Sequence, residues 1–162
     1  MQRVMCIFAL GGAALTVLLA VSHLSANPAD PLNGTWELNL AKSKFDPGPG
    51  PKSQSRTYEV TGQTEKLSSK GVDSEGKPTA VEFTASYDGK DYPVTGLPNV
   101  ETISVKRIDD HTFESTQKKA GKVVATGTRV ISKDGKTLTS TTKGTNAKGE
   151  AFNNTMVFDK KK

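Results

Sequence analysis

Asn33-Gly34-Thr35-Trp36-Glu37-Leu38-Asn39-Leu40-Ala41-Lys42-Ser43-Lys44-Phe45 decides how the rest of the chain is read, and it holds the single tryptophan. Side chains of an extended chain alternate between two faces. Trp36, Leu38 and Leu40 therefore share one side, and Thr35, Glu37 and Asn39 the other. The stretch reads as a first strand with one buried face, its largest ring placed to pack the end of a sheet.

Ahead of it, Met1-Gln2-Arg3 gives a short positive start, Val4 to Val21 is apolar, and the small polar residues Ser22, Ser25, Ala26 and Asn27 follow. This is the layout of a secretory signal peptide. A retained anchor is the rival, because the run is about the minimum length for a membrane span, but Gly11, Gly12 and Thr16 interrupt it. Ala20-Val21-Ser22 and Leu24-Ser25-Ala26 are the candidate cleavage sites. The expected organisation is a signal peptide over 1–26 and one domain over 27–162, secreted or periplasmic, with no membrane span after cleavage. Cys6, the sole cysteine, lies in the leader outside any lipobox. Export permits disulfides, yet the exported domain has none to form and must be held by its core.

Past the first strand, Asp46-Pro47-Gly48-Pro49-Gly50-Pro51 excludes helix and central strand. Short alternating runs then succeed one another. Tyr58 and Val60 share a face of Gln54–Thr61, and Leu67 centres Thr64–Lys70. Val81, Phe83, Ala85 and Tyr87 alternate with polar neighbours at period two. Asp88-Gly89 is a preferred two-residue hairpin turn, with Lys90–Val94 returning. Ile103 and Val105 face inward in Glu101–Arg107, and Phe113 anchors Thr112–Lys118. Val123–Ser132 is rich in β-branched residues, Leu138 leads Thr137–Lys143, and Phe152, Met156 and Phe158 share a face of Ala151–Lys160. Gly- or Asp-containing turns separate these runs, and none after the leader has helical periodicity. The fold class expected is all-β: an up-and-down antiparallel β-barrel of about 8–10 strands, closed so that no edge is exposed.

Strict alternation also places polar groups inside: Ser115, Gln117, Thr126, Thr128, Ser140, Thr142 and Asn154. A dry core does not accept so many without partners. Two explanations stand side by side. Either one end of the barrel is wet and roomy enough for a ligand, or bulges shift the faces. Val123-Val124-Ala125, apolar on both sides, marks one slip of phase.

Lys and Arg number 22 against 17 Asp and Glu, a formal net charge of +5. The lysines are scattered among acids, which suits solubility and lacks the basic, aromatic-interleaved face of a nucleic-acid binder. His111 follows Asp109-Asp110 but has no second cluster to complete a metal site. There is no Gly-x-Ser-x-Gly elbow and no phosphate loop, and Glu37, Glu59, Glu82 and Glu101 fall on outward positions. No catalytic, cofactor or metal residue is nominated, and the chain is read as a non-enzyme.

Gly34-Thr35-Trp36 at the head of an all-β chain of this length resembles the lipocalin-like (calycin) barrels, whose hallmark is Gly-x-Trp on the first strand. The wider pattern of Asn33 to Phe45, the Pro-rich loop and Asp88-Gly89-Lys90-Asp91-Tyr92-Pro93-Val94 also resembles a group of uncharacterised secreted bacterial proteins. The calycin likeness implies a small apolar molecule held inside the barrel without catalysis, and a cation packed over the tryptophan. Arg129 is the best candidate for that cation and Lys160 the alternative. A count of ten strands suits the fatty-acid-binding kind of barrel better, though such barrels carry a helical lid not seen here and lack a leader. Trp36, Phe83, Tyr87, Phe113 and Arg129 are the candidate ligand-lining residues. The function expected is an exported barrel binding a small apolar or amphipathic, lipophilic ligand. The alternative is a structural or interaction module of the envelope whose barrel is filled.

Overall fold

Ten antiparallel strands, each hydrogen-bonded to its neighbours in sequence, close into one barrel when the first meets the last. The computed structural model describes residues 29–162; the leader, its cleavage and Cys6 lie outside the described residues. The strands are β1 (Gly34–Leu38), β2 (Ser53–Thr61), β3 (Thr64–Val72), β4 (Pro78–Ser86), β5 (Tyr92–Thr95), β6 (Thr102–Arg107), β7 (Thr112–Lys119), β8 (Lys122–Ile131), β9 (Thr137–Thr145) and β10 (Ala151–Lys160). The architecture is the up-and-down barrel expected from period-two runs joined by short turns. Alternate turns gather at opposite ends. Among the described residues no helix is long and apolar enough to cross a membrane.

Trp36 closes the end where the described chain begins. It is fully buried, and its Nε1–H donates to the Leu32 carbonyl at 2.9 Å. Leu32, also fully buried, plugs that end. The cation over the indole is Lys160, 4.8 Å from the ring centroid, and its ammonium donates to the Pro31 carbonyl at 2.9 Å. Register explains why the alternative prevails over Arg129. Lys160 on β10 sits directly opposite Trp36 on β1, whereas β8 is separated from β1 by two strands.

Leu40 departs from the expected inward face. β1 ends at Leu38, and Leu40–Lys42 forms one tight 3-10 turn, leaving Leu40 47% exposed. Asn39 drives the change: its side-chain oxygen accepts the Lys42 N–H at 3.2 Å, a local bond that competes with the strand ladder. The chain then rejoins the sheet alongside β10, with Lys44 bridging Thr155 and Asn153 N–H donating to the Asp46 carbonyl at 2.7 Å. Asn154 is thereby satisfied, its side chain accepting the Asp46 N–H at 3.1 Å.

The turn at Asp88-Gly89 also differs. β4 and β5 pair only at Glu82–Thr95 and Phe83–Val94. Asp88 bridges Lys106 instead, and Gly89 N–H donates to the Val105 carbonyl at 3.2 Å. The turn residues leave the hairpin to extend the β6 ladder. At the other end of β5, Gly96 has φ +84°, and a Cβ there would lie 1.7 Å from the Ala80 carbonyl oxygen. Only glycine fits both the angle and the contact.

Both explanations for the inward polar residues operate, at different places. A register shift at Gln117/Lys118 sets Lys118 opposite Val123 and Gln117 opposite Ala125. Val124 is the extra residue of this bulge, and the phase of β8 flips beyond it. Thr126 and Thr128 consequently face outward and are exposed, while Ala125, Gly127, Arg129 and Ile131 point in. Ser115, Gln117, Ser140 and Thr142 do face the interior.

Trp36→Ala is expected to lower the unfolding free energy by about 3–5 kcal/mol, whereas Leu40→Ala, on an exposed turn, is expected to stay within about 0.5 kcal/mol of the parent. Urea unfolding followed by far-UV circular dichroism distinguishes them; equal losses would contradict the placement of the two side chains.

Candidate functional site

The interior is layered by register, and one layer is undersized. Arg107, Phe113, Arg129, Ser140 and Met156 are successive cross-strand partners from β6 to β10. In the next layer toward the far end, Val105, Ser115, Gly127, Thr142 and Asn154 align the same way. Ser115, Gly127 and Thr142 are too small to meet the opposite wall. A cavity of about 220 Å³ remains there.

The opposite wall comes from β2 to β6. Tyr58, Leu67, Phe83 and Val94 form one cross-strand row, and Ile103 together with Leu97 and Val100 of the β5–β6 loop completes the apolar side. Gln54, Arg56, Ser69, Gln117 and Ser140 add polar groups. The cavity is thus amphipathic, with hydrocarbon on one side and hydrogen-bonding groups on the other.

A charged strut crosses the barrel beneath it. Arg129 on β8 reaches Glu65 on β3, its Nη2 donating to both carboxylate oxygens at 2.7 and 2.9 Å. Glu65 is 0% and Arg129 7% exposed. The guanidinium also packs against the rings of Tyr58 and Phe113, 5.1 Å from each centroid. Burial works against the Arg129 charge, but the Glu65 carboxylate more than offsets it and holds the guanidinium above its ordinary range. Such a pair is stable only with both members present, since either alone is an uncompensated buried charge.

Arg56 on β2 is differently placed. It stacks 4.4 Å from the Phe158 centroid, and its Nη2 makes one weak contact to the Met156 sulfur at 3.8 Å. Its Nε is buried without an acceptor, as is the Gln54 Oε1 acceptor without a donor. Among the described residues Arg56 makes no ion pair. Burial lowers its guanidinium from the ordinary value; Tyr58 opposes this and the Arg129 charge adds to it.

Of the five residues nominated from sequence, Phe83 and Arg129 lie in the cavity wall. Tyr87 and Phe113 pack below it, their centroids 5.5 Å apart, with the Arg107 guanidinium over both rings. The Tyr87 hydroxyl is buried without a partner, and burial, then the Glu65 charge, pushes it far above its ordinary value. Trp36 lies at the plugged end, beyond the wall. His111 stands at a shallow groove of about 810 Å³ on that end, beside Asp30 and Arg107, which are ion-paired. No group of three metal-ligating side chains occurs among the described residues.

Arg56, Glu65 and Gln54 were not singled out from the sequence. A signal was there: Arg56 shares phase with Tyr58 and Val60, and Glu65 with Leu67. A charge in the apolar phase of a half-buried strand is either paired across the lumen or left for a guest.

Glu65→Gln is expected to cost about 3–5 kcal/mol, because Arg129 stays charged and buried without its counter-ion. Replacing both by apolar residues, Glu65→Leu with Arg129→Met, is expected to recover most of the loss. Denaturant midpoints of the single and double variants measure this; additive losses would show that the two side chains do not act as a pair.

No family model and no curated protein matches the chain. Among solved structures 15 chains match. One is the zebrafish ileal bile acid-binding protein complexed with cholic acid, 12% identical, covering 81% of this chain and 99% of that one with a TM-score of 0.47. The fold assignment rests on the strand order itself, that of a closed, ten-stranded, up-and-down antiparallel barrel entered through Gly34-Thr35-Trp36.

Proposed function

We propose that this chain is an exported, non-enzymatic barrel that binds one small apolar or amphipathic molecule in its interior. The observation that carries the reading is the cavity of about 220 Å³, set between an apolar wall and polar atoms that lack partners. A barrel whose role is only structural gains from filling such a space, since each void forfeits packing contacts. Here the inward positions Ser115, Gly127 and Thr142 keep it open. The wall offers arginine, amide, hydroxyl and apolar groups, which can orient a guest without transferring a proton from it. Export is supported by the leader-like layout of residues 1–26.

Binding is tested by titrating the folded, isotopically labelled barrel with benzyl alcohol, a neutral amphiphile of suitable size. Saturable amide shifts are expected at Val81, Phe83, Ile103 and Ser115, and loss of those shifts in Ser115→Leu, whose larger side chain occupies the space. Absence of any shift along the wall at millimolar concentration would favour the filled structural module instead.

A further inference from the structure

We infer that the guest is a compact monocarboxylate whose head group pairs with Arg56. The inference rests on the interior-binding reading above and adds the charge and size of the ligand.

The charge follows from a count of the groups at the cavity. Arg56 and Arg129 contribute two positive charges and Glu65 one negative. Glu65 gives both of its oxygens to Arg129, so the strut is neutral and the surplus lies on Arg56. That guanidinium has an aromatic face beneath it and a sulfur beside it, neither of which neutralises charge, and its buried Nε has no acceptor. An anion in the cavity supplies both the counter-charge and the missing acceptor. A carboxylate matches best, because its two oxygens fit the planar fork of a guanidinium. Gln54, on the same face of β2 two residues away, also lines the cavity; its unpartnered amide oxygen finds no donor in a carboxylate, and the side chain serves such a guest only by turning its amide N–H toward it. A second negative charge on the guest would find no further unpaired cation among the described residues that line the cavity. The site therefore selects one negative charge rather than two.

The size follows from the volume. A dry cavity of about 150 Å³ takes benzene, so at about 25 Å³ for each non-hydrogen atom a cavity of about 220 Å³ takes roughly nine, the number in benzoate. Opposite Arg56, Val94, Leu97, Val100 and Ile103 form the apolar wall that receives the body of the guest. Benzoate or a six- to seven-carbon acid matches this space; a long-chain acid or a sterol skeleton exceeds it.

The test compares benzoate, benzyl alcohol, phthalate and hexadecanoate by calorimetric titration at fixed ionic strength and neutral pH, with the full barrel and with Arg56→Met. Benzoate is expected to bind at least about tenfold more tightly than benzyl alcohol, the scale of a hydrogen bond to a charged group, and more tightly than phthalate or hexadecanoate. In Arg56→Met the preference for benzoate is expected to vanish while benzyl alcohol still binds. Methionine keeps the apolar stem and removes an unpaired, half-buried charge, a change that favours folding. Should that variant nevertheless fail to fold, the four-ligand comparison on the parent chain decides alone. Equal affinity for benzoate and benzyl alcohol would mean that water in the cavity satisfies Arg56, and would overturn the inference while leaving interior binding intact. Tighter binding of phthalate or hexadecanoate would overturn the charge or size limit in the same way. Binding of none of the four would remove the interior-binding reading and this inference with it.

Discussion

Closure of the sheet around Trp36 is the constraint on which the other features depend. β1 is only five residues long, yet it must hydrogen-bond β2 on one side and β10 on the other. Trp36 and Glu37 are paired in both ladders, and for Trp36 the partners are Lys160 on β10 and Arg56 on β2. Trp36 and these two partners point inward, so closing the barrel gathers two cations beside one indole. The structure resolves this asymmetrically. Lys160 packs over the ring and finds the Pro31 carbonyl. Arg56 turns to Phe158 and the cavity. The position of Arg56 is thus a consequence of the same register that seals the end.

A barrel of sequential hairpins has few ways to adjust its interior. Each inward position is fixed by register, and a one-residue slip would turn a whole strand inside out. The single bulge at Val124 shows how a slip is used. Without it, the outward phase of Val123 would continue through Ala125, Gly127 and Arg129, and Thr126 and Thr128 would point inward. With it, Gly127 and Arg129 come inward: one removes bulk to make the cavity, the other supplies half of the strut that floors it. One extra residue therefore sets both the volume and the charge of the interior.

Most of the strands were legible in the sequence because period-two alternation is strong wherever one face is buried and the other wet. Tyr58, Phe83, Ile103, Val105, Phe113 and Phe158 all carry that signal, and all are buried. The misreadings share one origin, a local hydrogen bond or bulge that alternation does not encode. Asn39 capped a turn and released Leu40 to solvent, Asp88-Gly89 joined β6 rather than a tight hairpin, and Val124 reversed the phase of β8. The site was less legible than the fold. Aromatic residues drew attention because they are large, yet the groups with unsatisfied chemistry are Arg56 and Gln54, and Glu65 is what silences Arg129. Charge pairing between β3 and β8 is a tertiary fact, set by the curvature of the closed sheet. Sequence spacing alone does not contain it.

Two inward arginines in one small interior, Arg129 buried and Arg56 half-buried, invite comparison, and the difference between them is what gives the cavity its character. Arg129 has a carboxylate, two aromatic neighbours and a charged form held firmly in place; the pair is neutral and adds shape rather than attraction. Arg56 has the aromatic contact without the carboxylate. That arrangement works against stability, because the part of the guanidinium hydration lost at this half-buried position is not repaid by a sulfur contact. Removing the charge would suit the fold, and methionine or leucine in its place would extend the apolar wall. A residue that works against the fold in the empty state is best understood by the state in which it is paired. With an anion in the cavity, the charge, the open Nε and the space beside Ser115 and Gly127 are all accounted for by one occupant.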